Sequence, residues 1–302
     1  MTPLQAIAVE LVPTNTEAGA THAISEAQKY RALFKQYDIS AALTHIMMPG
    51  IIEEDQGRPI DVRSKMDVLD FWSAIHPQLP GLKGLCTQVS AFSDESRLRT
   101  RITELTASGI EGIVFVGVPR TMSDGQGPGV SPVEALDIFH DVVDHRGVIL
   151  IPTREQESAR LAAKCAQGAT FAMTQLLYSS QIVTFLTDFA HHYEYRPEIV
   201  LSFGFVPAME SHVGLIHWLI QDPHNRAVEQ EQHFVSELAR SDQSQRTILM
   251  MDLFRRVIDQ VITLGFPLSL HLEATYGISP AAVRLFSQMI TYWKNTVPTT
   301  IS

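Results

Sequence analysis

The chain has 302 residues, of which 45% are hydrophobic and 19% charged, an ordinary balance for a water-soluble globular protein with a large core. Its net charge of −10 excludes a nonspecific nucleic-acid binder, which needs a basic surface; an anionic small ligand would need local Arg or Lys. Two distant cysteines, Cys86 and Cys165, form no C-x-x-C and no zinc spacing, so reduced thiols are expected. No basic-then-apolar leader opens the sequence and no apolar stretch reaches membrane-spanning length, so the expected location is cytoplasmic, without a membrane partner.

Short apolar runs alternate with longer stretches of helical period. The strand-like runs are Leu4–Val12, Ala41–Met48, Leu82–Val89, Gly112–Val118, Gly147–Thr153, Ala169–Leu177, Glu198–Val206 and Pro267–Thr275. Most are apolar along their whole length, as in a parallel sheet covered by helices. Ser131-Pro132-Val133-Glu134 reads as a capping box with Pro at the first helical position, Thr153 with Gln156 repeats the pattern, and Ser279-Pro280 starts the last helix. Gly109 and Gly168 stand where helices should stop. After the seventh strand the pattern predicts several helices, 210–221, 227–240 and 245–264, with a polar break at Ser241-Asp242-Gln243-Ser244. Eight strand–helix units in one uninterrupted chain predict an α/β fold, a single (β/α)8 TIM barrel over residues 1–302 with extra helices between strands seven and eight. A doubly wound open sheet is the alternative, because periodicity alone does not show closure.

In such a barrel the strands' C-terminal ends build the active site. Glu10 lies near the end of the first strand. Alternation puts Ala6, Ala8 and Glu10 on one face and the larger Ile7, Val9 and Leu11 on the other, so the small set with Glu10 should face the barrel axis. Burial there would raise the carboxyl pKa, which suits a proton donor at neutral pH; a Glu salt-bridged to an Arg at the mouth is the alternative. The other strand ends offer His45, Thr87, Gln88, Arg120, Arg154, Gln175, Tyr178, His271 and Glu273. A Gln aimed into a pocket both donates and accepts, which suits a ligand amide; as a structural residue it would cap the core instead. H-E-x-x-H and Gly-x-Ser-x-Gly are both missing from the sequence, and His191, His192, His212, His217 and His224 show no trusted ligand spacing, so no metal site and no serine nucleophile are expected.

Four segments resemble the methylenetetrahydrofolate reductase family in order and spacing. Ala8-Val9-Glu10-Leu11-Val12-Pro13 is similar to the family's FEFFPP, Gly84-Leu85-Cys86-Thr87 to HLTC, and Gly168–Tyr178 to GADFIITQLFYD; Gly204-Phe205-Val206-Pro207 resembles GILP. The resemblance implies a (β/α)8 barrel that reduces 5,10-methylenetetrahydrofolate to 5-methyltetrahydrofolate. It implies Glu10 as the general acid and Gln175 as a hydrogen-bonding partner of the pterin. Thr87, Gln88 and Tyr178 are then expected around the folate, and His45, Arg120, Arg154 and Glu273 around the nucleotide cofactor.

The departures from the family concentrate on its flavin contacts. LRGD after strand four is replaced by Phe115-Val116-Gly117-Val118-Pro119-Arg120, and YPEVHP after strand five by Ile151-Pro152-Thr153-Arg154-Glu155. TLNR in strand eight is replaced by Glu273-Ala274-Thr275-Tyr276, and TYGAGG after strand two by Thr44-His45-Ile46-Met47-Met48-Pro49. Lys164 matches a family lysine near the flavin phosphates. The expectation is a divergent member without the usual FAD site, taking hydride directly from NAD(P)H, with NADH preferred. A flavin held otherwise would have to use the Ser123–Gly129 loop, whose three glycines precede a capped helix. Two further readings stay open: a barrel lyase or aldolase using Glu10 as acid and base, and a non-catalytic folate-binding relative. The sequence leaves open an assembly of identical subunits.

Overall fold

In the computed structural model the described residues are 2–50, 64–117, 129–220 and 225–298. The predicted apolar runs form eight parallel strands, β1 (Ile7–Glu10), β2 (His45–Met48), β3 (Lys83–Val89), β4 (Ile110–Val116), β5 (His145–Leu150), β6 (Phe171–Thr174), β7 (Glu198–Gly204) and β8 (Leu268–Glu273). Each pairs with the next, and β8 pairs with β1, so the sheet closes into the expected barrel and leaves no edge. In chain order the helices are α1 (Gly19–Gln36), α2 (Val68–Ile75), α3 (Glu95–Ala107), α4 (Pro132–Ile138), α5 (Glu157–Ala166), α6 (Gln181–His192), α7 (Gly214–Leu219), α8 (Arg226–Arg240), α9 (Gln243–Val261) and α10 (Pro280–Thr296). The extra helices α7 and α8 occupy the stretch between β7 and α9, as expected. Among the described residues no helix is long and apolar enough to cross a membrane.

The two-residue strand period divides the apolar side chains into two bodies. Ala6, Ala8, Met47, Leu85, Val114, Phe171, Met173 and Val200 fill the barrel interior. Ile7, Val9, Leu11 and the other outward residues join the helices in a larger core. Ala6 and Ala8 therefore face the axis, as the alternation predicts. Interior volume is matched closely: a Cβ on Gly147 would lie 2.2 Å from Phe171 Cζ, and one on Gly112 would lie 2.9 Å from Leu85 Cδ2 and 3.5 Å from the same Phe171 ring. Two glycines on the adjoining strands β4 and β5 thus make room for one aromatic ring from β6.

Helix starts follow their side-chain chemistry. Ser131 and Glu134 form the reciprocal capping box, and Ser279 caps α10 by accepting from the Ala282 N–H. Asp242, in the polar break, caps α9 through the Gln245 N–H. Gly109 and Gly168 adopt positive φ, 94° and 97°, where the chain leaves a helix for a strand. The Thr153–Gln156 cap does not form. The chain reaches α5 through Gln156 in the left-handed region, without a side-chain cap, because the buried Glu157 carboxylate takes the Ile151 N–H at 3.2 Å and ties the loop differently.

The first strand is shorter than its apolar run for a related reason. Gln5 has φ of 47°, and the N–H groups of Leu4 and Gln5 donate to the Glu198 carboxylate at 2.6 and 2.8 Å instead of to a ladder. Ser269 donates to the same carboxylate and accepts the Ala6 N–H at 2.6 Å, so Glu198 joins the incoming chain, β7 and β8 at the barrel floor. His45 lies at the N-terminal start of β2, at this same end. Its ring nitrogens meet Thr44 Oγ1 at 2.8 Å and Glu111 at 2.7 Å, and Lys83 completes the group. The expected nucleotide role of His45 is therefore corrected: the residue opens its strand and cannot face the mouth.

Gly147→Ala should cost about 1–3 kcal/mol through overpacking against Phe171. Urea unfolding would read this as a lower midpoint at unchanged slope, and Phe171→Leu in the same chain should recover part of the loss. An unchanged midpoint would show that the ring has room to move.

Candidate active site at the barrel mouth

β1 and β8 are hydrogen-bonded neighbours, with Ala8 opposite His271 and Val9 opposite Leu272. One residue further along each strand stand Glu10 and Glu273, both inward by the same alternation as Ala8 and His271. Three polar side chains thus converge from chain positions more than 260 residues apart, at the C-terminal end of the barrel. The two carboxyls border a cavity of about 560 Å³, whose wall also includes Asn15, His22, Lys65 and Trp218. A site of this size, at this end of this fold, is the natural place for a small molecule.

His271 is the innermost of the three. Its side chain is 1% exposed, against 14% for Glu10 and 12% for Glu273. Its Nδ1 lies 3.0 Å from Ser202 Oγ and 3.4 Å from Glu273 Oε1. Its Nε2 makes no hydrogen bond and faces Glu10 Oε2 at 4.0 Å. Burial lowers the imidazole pKa to about 3, so the ring is neutral at neutral pH. Burial also raises the Glu10 carboxyl to about 7. Glu273 is raised well above the usual carboxylate range, first by burial and then by the nearby Glu10 charge. At neutral pH the mouth therefore holds a carboxyl poised to lose its proton, a second carboxyl whose ionisation burial disfavours, and a neutral imidazole.

Burial pushes the Tyr178 hydroxyl well above the ordinary phenol range, with Glu273 and Glu231 adding to the shift. Its Oη has no hydrogen-bond partner and lies over Gly204, where a Cβ would come within 2.3 Å. Gly204 is thus the residue that lets the phenol reach the barrel wall. Lys65, on the cavity wall, donates to Asn15 Oδ1 at 2.8 Å, and burial lowers its ammonium pKa.

The other expected contacts are placed less simply. Gln175 donates its amide to the carbonyl of Leu219, a residue of the cavity wall, and so fastens α7 onto the barrel. Thr87 accepts the N–H of Gly50, also on the wall, at 2.6 Å. Gln88 stands three residues from the inward Leu85 and hence on the opposite face of β3; its amide donates to the Val89 carbonyl at 2.8 Å. Tyr178, 2% exposed, stands behind the lining. Arg154 lies 3.8 Å from Glu157 in the loop after β5. Arg120 and most of the Ser123–Gly129 loop lie outside the described residues.

Lys164 is engaged within the protein. Its ammonium donates to the Ile149 carbonyl at 3.0 Å and lies 3.8 Å from the buried Glu157. One donor group has metal-compatible spacing: atoms of Glu10, His271 and Glu273 lie within 4.8 Å of one another. It escaped a search for ligand spacing because it is assembled from the first and last strands. An ion bound there would release any protons the carboxyls hold, so its affinity would fall with falling pH. Ser202 was also missed. The signal was present, a single hydroxyl in the otherwise apolar centre of Glu198–Val206, but its partner is 69 residues away.

Glu10 should make stability depend on pH. A carboxyl at 4.5 in the unfolded chain and about 7 in the folded one leaves the folded state holding the extra proton between these values. Its stabilising contribution is complete below pH 4.5 and is lost as pH rises through 7. Glu10→Gln should therefore be more stable than the parent at pH 8, relative to pH 5, by about 2 kcal/mol. Thermal unfolding of both proteins at the two pH values measures the difference; equal differences would mean that the carboxyl is solvated.

Comparison with solved structures finds a Clostridium thermocellum protein, described as uncharacterized and as binding two copies of 5-methyl-5,6,7,8-tetrahydrofolic acid. It is 15% identical, the alignment covers 95% of this chain and 96% of that one, and the TM-score is 0.67. At that identity the likeness shows the fold. The tryptophan synthase complex of Pyrococcus furiosus aligns at 10% identity over 97% and 96% of the chains with a TM-score of 0.44. An Aquifex aeolicus VF5 protein aligns at 9% over 98% and 94% with 0.45. Neither of these two carries a functional argument. Curated proteins give no match. A family model described as mycobacterial methylenetetrahydrofolate reductase matches residues 3–296, nearly the whole chain, and with the acid-lined barrel mouth described above the chain belongs to that family.

Proposed function

We propose that the chain reduces 5,10-methylenetetrahydrofolate to 5-methyltetrahydrofolate with hydride taken directly from NAD(P)H, NADH being the first donor to test. The observation that carries this reading is Glu10, a carboxyl whose pKa burial sets at about 7 on the wall of a cavity at the barrel mouth. Family membership and the folate named for the Clostridium thermocellum barrel support the choice of substrate.

The chemistry needs such an acid. The Glu10 proton goes to N10 as the bond between N10 and the methylene carbon breaks, leaving an iminium at N5. Hydride from the nicotinamide then adds to the methylene carbon, so one proton and one hydride enter the folate for each nucleotide oxidised. A carboxyl near pKa 7 is protonated often enough to act and acidic enough to release its proton. Direct transfer requires both reactants in the mouth together, and their shared confinement supplies the proximity that makes it fast. The engaged Lys164 supports a route without bound flavin.

Purified protein should oxidise NADH only when methylenetetrahydrofolate is present, with intersecting initial-rate lines. Glu10→Gln should lower kcat by roughly 10²–10⁴-fold, the usual worth of a positioned acid. A flavin absorption spectrum or parallel lines would overturn direct transfer. Folate binding without NADH oxidation would return the protein to the binding-only reading, and cleavage of a carbon–carbon bond would point to a lyase.

A further inference from the structure

The buried Nε2 of His271 has no hydrogen-bond partner, in a ring that is 1% exposed. A polar nitrogen left so is costly unless a partner arrives at some stage of the cycle. Its facing neighbour is Glu10 Oε2, at 4.0 Å, too far for a hydrogen bond but within the reach of a small side-chain movement.

The opposite nitrogen decides what Nε2 carries. Nδ1 faces two oxygen groups, the Ser202 hydroxyl at 3.0 Å and the Glu273 carboxyl at 3.4 Å. The Ser202 hydroxyl is the nearer and lies at hydrogen-bond distance, and with its hydrogen donated to Nδ1 that nitrogen accepts. The ring hydrogen of a neutral imidazole then stands on Nε2, directed at Glu10.

We propose that His271 is a positioning residue that donates its Nε2–H to the Glu10 carboxylate once Glu10 has given its proton to the substrate. This deepens the reductase reading above and rests on it. Before transfer, Glu10 carries its own proton and the gap stays open. As the proton leaves, negative charge grows on the carboxylate and the Nε2–H···O contact closes. The bond is strong only with the anion, so it favours the proton-transfer transition state over the starting complex. No other bond forms or breaks, and the imidazole stays neutral throughout. Ser202 keeps the ring in the required tautomer, and Glu273, 3.4 Å from Nδ1, stands beside the acid machinery.

The groups that bear on Glu10 come from several elements. His271 and Glu273 approach from β8. His22, Glu26 and Tyr30 of α1 and Lys65 before α2 share the cavity. None of these occupies the place of the Nε2–H.

The test is the pH profile of kcat/KM for His271→Leu and His271→Gln. Without a donor the Glu10 anion is less stable, so in His271→Leu the alkaline limb should move to higher pH by about one unit, while the plateau falls roughly tenfold or more. His271→Gln, whose amide can donate, should return the limb towards its parental position. An unmoved limb in His271→Leu, or one displaced to lower pH, would overturn the proposal, since a purely structural role lowers the plateau without shifting it. ¹⁵N NMR of histidine-labelled parent protein needs no turnover. It should show His271, assigned by its loss in His271→Gln, as the neutral Nε2–H tautomer; the Nδ1–H tautomer, or a divalent ion copurifying at one per chain, would overturn the assignment. A parent protein that lacks NADH oxidation altogether would sink the reductase reading while the NMR result stands on its own.

Discussion

Two carboxyl groups and an imidazole are withdrawn from water at one end of a closed barrel, and the remaining features of the mouth follow from that burial. Charge is expensive there, so the groups meet it by holding protons or by staying neutral. Glu10 and Glu273 cannot both ionise at so short a separation without cost, and burial raises both carboxyls. A carboxyl that would be an inert anion on the surface becomes an acid, with no cation needed to create it. The alternative expectation, an arginine paired with Glu10, has no counterpart among the described residues around it.

Barrel closure makes the burial possible. Without the β1–β8 ladder, Glu10 and His271 would not stand side by side. Here the Glu198 carboxylate binds the incoming chain to β7 and β8 at the floor, and the β1–β8 ladder carries the same register up to the mouth. Phe171, seated against Gly147 and Gly112, fills the middle of the barrel, so the polar groups above it rest on a dry layer. The same closely filled interior keeps water from reaching His271 from below, and so keeps its ring neutral.

The helices after β7 make the second contribution. Leu219 and Trp218 of α7 form part of the cavity wall, and Gln175 fastens that wall through the Leu219 carbonyl. A residue that resembles a pterin contact by its place in the chain thus shapes the pocket wall through α7. Its amide would have to exchange a protein partner for a ligand partner to act directly. That is a reasonable demand of a glutamine, which donates and accepts with one rotatable group.

Much of this was legible in the chain. Apolar runs at regular intervals dictate eight covered strands, Ser131 with Glu134 and Ser279 mark helix starts, and alternation along Ala6, Ala8 and Glu10 turns the glutamate inward; these are local consequences of period and hydrogen-bonding chemistry. Contacts across the barrel were not legible, because they depend on register and on which strand end is the mouth. His45 stands in an apolar run like the true mouth residues, yet β2 begins at it. Gln88 is one residue out of phase with the inward face. Ser202, His271 and Glu273 acquire meaning only when β7, β8 and β1 lie side by side. The amino-acid order by itself determined the architecture and the inward glutamate, since both follow from neighbours near in sequence. The proton-holding trio was decided by tertiary structure alone, since the shift of an acid is set by what surrounds it in space.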